Sequence, residues 1–103
     1  MSKVFLGTEL KLNINIADVG TVTMDNYDFT VTAYCSSNKT VVIPKADAIR
    51  IDSSNYVLRL DTMAIGAGRL RCRVVAELPD GDFPDQLRTE VVVVDTGIEI
   101  LKA

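Results

Sequence analysis

An antiparallel β-sandwich of two sheets is the fold this chain predicts, and three observations predict it. Residues 8–16 read TELKLNINI, with Leu10, Leu12, Ile14 and Ile16 alternating against Glu9, Lys11, Asn13 and Asn15. That period of two marks a strand with one face inside, and it recurs along nearly the whole chain. The apolar residues lean on Val, Ile and Leu, with three Phe, three Tyr and no Trp; β-branched side chains suit a pleated surface. Clusters of Gly, Pro, Asn, Asp and Ser interrupt the pattern at short intervals, giving seven or eight short strands. A small barrel is the second choice.

Taken in order, the first strand is 8–16, ended by Ala17, Asp18, Val19 and Gly20. Residues 21–26 fit a short strand or a crossing loop, with Val22 and Met24 as its apolar positions. The second strand, 27–35, turns Tyr27, Phe29, Val31 and Ala33 inward. Ser36, Ser37, Asn38 and Lys39 form a turn, since Asn and Ser bond locally to backbone. Strand 40–43 stops at Pro44, which donates nothing to a ladder and marks an edge or an end. Strands 48–51 and 56–60 flank a four-residue hairpin loop, Asp52, Ser53, Ser54 and Asn55. Asp61 is placed to cap one helical turn, with Gly66 and Gly68 ending it at positive φ and the chain passing from one sheet to the other. Strand 69–78 is the longest; strand 88–94 follows, then a turn at Asp95, Thr96 and Gly97 and a last strand, 98–101.

At 103 residues, 48% hydrophobic and 24% charged, the chain is one globular domain with its own core. Residues 1–7 carry one positive charge and a three-residue apolar run, too little for a signal peptide or a membrane span. They either pair as a strand or stand off as an N-terminal arm. Cys35 and Cys72 fall on inward faces. With strands alternating up and down, their two strands run parallel and the thiols sit toward opposite ends of the core, so both are read as free and buried.

Chemistry is sparse. The absence of histidine removes Ser-His and Cys-His pairs and the commonest metal ligand, and most carboxylates sit in turns or at outward strand positions, so no catalytic residue, cofactor or metal site is assigned. Asp80, Asp82 and Asp85 share one loop, but without the spacing of a calcium loop; a Pro-Asp-Gly turn accounts for them. Phe83 within that loop either folds back or anchors a partner. Arg69, Arg71 and Arg73 alternate with Leu70, Cys72 and Val74, putting three guanidinium groups on one outward face. They suit docking on an acidic protein surface, or cross-strand pairing with Glu77, Glu90 or Asp61. A net charge of −3 and the lack of interleaved aromatics argue against nucleic acid. Residues 91–94 are four consecutive valines. One parity faces the core, and the other, Val92 and Val94 or their neighbours, needs cover from the chain's own tail or another subunit.

The stretch 27–101 resembles a family of small proteins encoded by tailed phages of the crAss-like group and their relatives. The carrying segments are Asn26-Tyr27-Asp28-Phe29-Thr30-Val31, Ser37-Asn38-Lys39-Thr40-Val41, Ala64-Ile65-Gly66-Ala67-Gly68, Leu87-Arg88-Thr89-Glu90-Val91 and Val94-Asp95-Thr96-Gly97-Ile98. The arrangement is also similar to the N-terminal β-sandwich of phage baseplate upper proteins, without the coiled-coil and receptor-proximal regions that follow there. The resemblance implies an immunoglobulin-like virion protein, made in the host bacterial cytoplasm and bound to capsid, fibre or tail components, with homo-oligomers open to it. It implies a head auxiliary or fibre-anchoring subunit; the alternatives are a tail or baseplate adaptor and a glycan-binding module using Tyr34, Tyr56 and Phe83.

Overall fold

The computed structural model describes residues 2–16, 21–35 and 39–102. Among these residues eight strands run β1 (Ser2–Phe5), β2 (Glu9–Asn15), β3 (Asp28–Tyr34), β4 (Thr40–Pro44), β5 (Ile49–Asp52), β6 (Asn55–Asp61), β7 (Gly68–Pro79) and β8 (Leu87–Leu101). They form a five-stranded sheet, β1-β8-β7-β3-β4, and a three-stranded sheet, β2-β6-β5. All neighbours are antiparallel except β1 and β8, which pair in parallel from Ser2 opposite Ile98 to Phe5 opposite Leu101. The expected all-β, two-sheet architecture is what the chain adopts. The N-terminal residues are strand rather than free arm. The turn expected at 17–20 and residues 36–38 of the turn expected at 36–39 lie outside the described residues.

The core forms where the alternating faces meet. Phe29, Val31, Leu70, Ile65, Ile100 and Met24 are fully buried. Phe29 on β3 meets Tyr56 on β6 edge to face, with centroids 5.3 Å apart, so one aromatic pair joins the two sheets. The Lys45 ammonium donates to the Tyr27 carbonyl at 2.8 Å and stands 6.0 Å from the Phe29 ring and 5.9 Å from the Tyr56 ring. Residues 21–26 are a crossing segment, not a strand: Met24–Asn26 is one 3₁₀ turn, capped reciprocally by Thr23 and Asn26.

The sheet changes from β1 to β2 and from β6 to β7 share a local device. Asp61 caps the 3₁₀ turn Thr62–Ala64 by accepting from the Met63 amide, and Gly66 and Gly68 follow at φ 90° and 134°, as the sequence predicted. Buried Thr62 donates to the Thr8 carbonyl and accepts from the Gly7 amide, both at 2.9 Å; its hydroxyl is thereby satisfied inside the protein.

Three expectations need correction. The loop at 52–55 is a two-residue turn, because Asp52 pairs with Asn55 and its carboxylate accepts from the Ser54 amide. The turn at 95–97 does not end a strand. Arg71 faces Asp95 and Arg69 faces Glu99, so β8 carries extra residues as a bulge with Gly97 at φ 73°. The Cys35 and Cys72 strands run antiparallel as neighbours, with Ala33 opposite Cys72. Both thiols are free and buried, as expected, but at the same end of the sheet.

Candidate docking surface

Sheet register defines two faces. On the three-stranded sheet, Glu9 and Lys11 stand opposite Asp61 and Arg59, all exposed. Each like-charged or opposed pair has an opposite charge on its diagonal, a solvated and self-compensated face. The outer face of the five-stranded sheet differs. Its rows run Val42, Thr32, Arg73, Val93 and, one step along, Thr40, Tyr34, Arg71, Asp95. Val42 and Val93 are nearly three-fifths exposed.

The strip expected from β7 is present but not uniform. Arg69 is held by Asp95 at 2.6 Å. Arg71 and Arg73 are exposed and make no ion pair among the described residues. The acids expected to neutralise the strip are engaged elsewhere: Glu77 accepts from Thr89 at 2.9 Å, and Glu90 lies 3.7 Å from Arg88. Asp95 ionises more readily than an ordinary Asp because the Gly97 amide donates to it and Arg69 sits beside it.

The valine run corrects a second expectation. Val92 and Val94 stand opposite Val74 and Cys72, on the core side, while Val91 and Val93 stand opposite Val75 and Arg73, on the outer side. One parity was expected to be buried, yet Val91, Val92, Val93 and Val94 are 49, 52, 58 and 45% exposed. Among the described residues, the short sheet does not reach over this part of β8. Instead Ile14 and Ile16, at the β2 flank, and Val92 and Val94 line the two walls of an open groove of about 270 Å³. A contiguous groove of about 440 Å³ runs on past Leu12, Asn13, Leu58 and Thr96.

Phe83 is 42% exposed at the tip of a hydrogen-bonded loop, where the Gln86 amide donates to its carbonyl at 3.0 Å. It lies beyond Pro79, six residues past Arg73 on β7, or roughly 20 Å away, so the structure does not gather Phe83 with the arginines. In the same loop Asp80 accepts from the Asp82 amide and faces Arg88, and Asp85 accepts from the Leu87 amide. No group of three or more metal-ligating side chains occurs among the described residues. The aromatics considered for sugar stacking are scattered: Tyr56 is buried in the core, Tyr34 is on the outer sheet face and Phe83 is on the loop.

Two polar sites are structural. Burial raises the Cys72 and Cys35 thiols above their ordinary pKa, which keeps them protonated and poor nucleophiles at neutral pH. Asp25 receives Arg50 through Nε and Nη2 at 3.0 and 2.9 Å and also the Tyr56 hydroxyl. These bonds lower its pKa to about 2 from 3.8. A depressed carboxylate stabilises the fold above its unfolded pKa and loses that contribution as pH falls through the folded value. Stability is therefore expected to decline between pH 4 and 2, and Asp25→Asn to flatten that decline. Urea midpoints at pH 2, 3, 4 and 6 check this; equal slopes for both proteins would remove Asp25 from the account.

Sequence reasoning missed Val42, Ile14 and Ile16 as exposed or groove-lining positions. The run Thr40-Val41-Val42-Ile43, apolar at both parities, was the available signal. Among the described residues no helix is long and apolar enough to cross a membrane. Searched against protein-family models, curated proteins and solved structures, the chain matches none of them.

Proposed function

We propose that the protein is a structural virion subunit of a tailed phage, a head auxiliary or fibre-anchoring module that works by docking on other virion proteins and not by catalysis. One observation carries the docking: Val91 and Val93 are exposed on the outer face of the sheet, Val93 directly opposite Arg73 and Arg71 one step along, both arginines without an ion pair among the described residues. Apolar area with exposed cations at its side suits an acidic-rimmed protein surface. The virion assignment draws on the sequence resemblance. Weak contacts of this size become effective when many copies bind a repeating lattice.

An immunoglobulin-like fold belongs to the same proposal. Strands β2, β6 and β5 against β1, β8, β7, β3 and β4 is the order that fold would give, with a parallel first-to-last strand pair. The chain departs from antibody domains in lacking the inter-sheet disulfide and the buried Trp.

The test is incorporation. The double substitution Arg71→Ser, Arg73→Ser, at exposed positions without ion pairs among the described residues, should leave the melting temperature nearly unchanged, since such surface changes stay within about 0.5 kcal/mol. Its copy number in purified particles, measured by quantitative mass spectrometry against the major capsid protein, should fall several-fold. Unchanged copy number would overturn this docking face.

A further inference from the structure

Strand β1 covers only the end of the β8 flank, from Ile98 to Leu101. Among the described residues, nothing pairs with that flank from Leu87 to Gly97. The Leu87 and Gly97 amides donate to the Asp85 and Asp95 carboxylates; between them, among the described residues, no strand pairs with this side of the backbone, and the four valines are exposed on both faces of the sheet. A partner lying on one face would cover two of the four. Only a strand added in the plane of the sheet flanks all of them and also pairs the open backbone.

We propose that this strand is β8 of a second copy, joined antiparallel about a two-fold axis at Val92, so that two five-stranded sheets become one. The inference rests on the docking reading above and names the partner of that edge. Three features favour a second copy. First, the stretch between those two amides, Arg88 to Thr96, is centred on Val92, so a two-fold there opposes Arg88 to Thr96 and uses the flank without displacing β1. Second, the register is free of like-charge clashes. Val92 meets its own copy, Val91 meets Val93, and Glu90 meets Val94. The two Glu90 carboxylates then lie about 13 Å apart along the strands, beyond the screening length of about 8 Å at physiological salt. Third, the same register brings the second copy's loop, with Asp82 and Asp85, to the end of β1 where Lys3 is exposed. Strand pairing by itself buries less than the roughly 800 Å² per partner of a standard interface, so the dimer forms in a concentration-dependent way.

Light scattering on the purified full chain over a dilution series should show mass rising from one copy to two. Val92→Lys, which sets two ammonium groups against each other at the axis, should hold the mass at one copy throughout while circular dichroism stays unchanged. Register is read by cross-linking. Val92→Cys should link to itself, because directly opposed residues are within disulfide range. Val91→Cys and Val93→Cys should link only when mixed with each other. A single copy up to about millimolar, a Val92→Lys dimer, or self-linking of Val91→Cys as fast as of Val92→Cys would each overturn the inference. A monomer that still enters virions defeats this proposal and spares the docking reading; a dimer that stays out of virions does the reverse.

Discussion

Phe29→Ala is expected to destabilise the domain by about 3–5 kcal/mol, the range for emptying a buried aromatic site. Phe29 is 1% exposed and supplies one ring of the 5.3 Å edge-to-face pair between the sheets. Its loss removes dispersion contacts on both sides of the core and leaves Tyr56 without its ring partner. A domain of this size holds roughly 5–15 kcal/mol in total, so the variant should melt at least about 12 °C lower or fail to fold. Phe29→Leu, which keeps most of the volume, should recover over half of the loss. Urea unfolding measures both; a cost under about 1 kcal/mol for Phe29→Ala would show that the sheets do not depend on this pair.

Ile100→Ala should cost about 2–5 kcal/mol, with an effect that is not uniform. Ile100 is fully buried in the last part of β8, opposite Gly68 on one side and Val4 on the other. Among the described residues, strand β1 pairs with this segment alone. Loosening it should therefore raise amide exchange at residues 2–6 more than in β3 or β7, where the ladder is flanked on both sides. Equal changes across the sheet would mean that β1 is held by contacts other than the strand end.

Local devices were legible in the chain because they depend on few neighbours. The alternation at 8–16 and 69–78 gave the inward residues correctly: Leu70, Cys72, Val74, Ala76 and Leu78 are all buried. The Asp61 cap and the positive-φ glycines were legible for the same reason. Met24 was harder. It is fully buried in a segment with no period, because the Thr23 and Asn26 cap turns it inward across a hairpin, where its amide donates to the Ser53 carbonyl at 3.0 Å.

The misreadings share a cause: each needed to know which strand lies beside which. Counting strands up and down made the two Cys-bearing strands parallel. In fact the chain changes sheet twice between them, and they meet as antiparallel neighbours. The Arg strip was matched to Glu77, Glu90 and Asp61, but the bulge in β8 slides Asp95 to Arg69 instead. Phe83 and the arginines were grouped by chemistry, although the length of β7 holds them apart.

By itself the sequence determined an all-β chain, the inward side of most strands and the positions of its caps and turns. Side-chain parity and turn chemistry are set within a few residues, so they survive without knowledge of the rest. The tertiary structure decided what is covered. Four valines in a row state that two faces are apolar, but whether either is buried depends on how far the opposite sheet extends. Among the described residues three strands stand against five, leaving Val92 and Val94 above an open groove and the β8 flank unpaired from Arg88 to Thr96. Burial is a property of neighbours distant in sequence, and only the assembled sheets supply them.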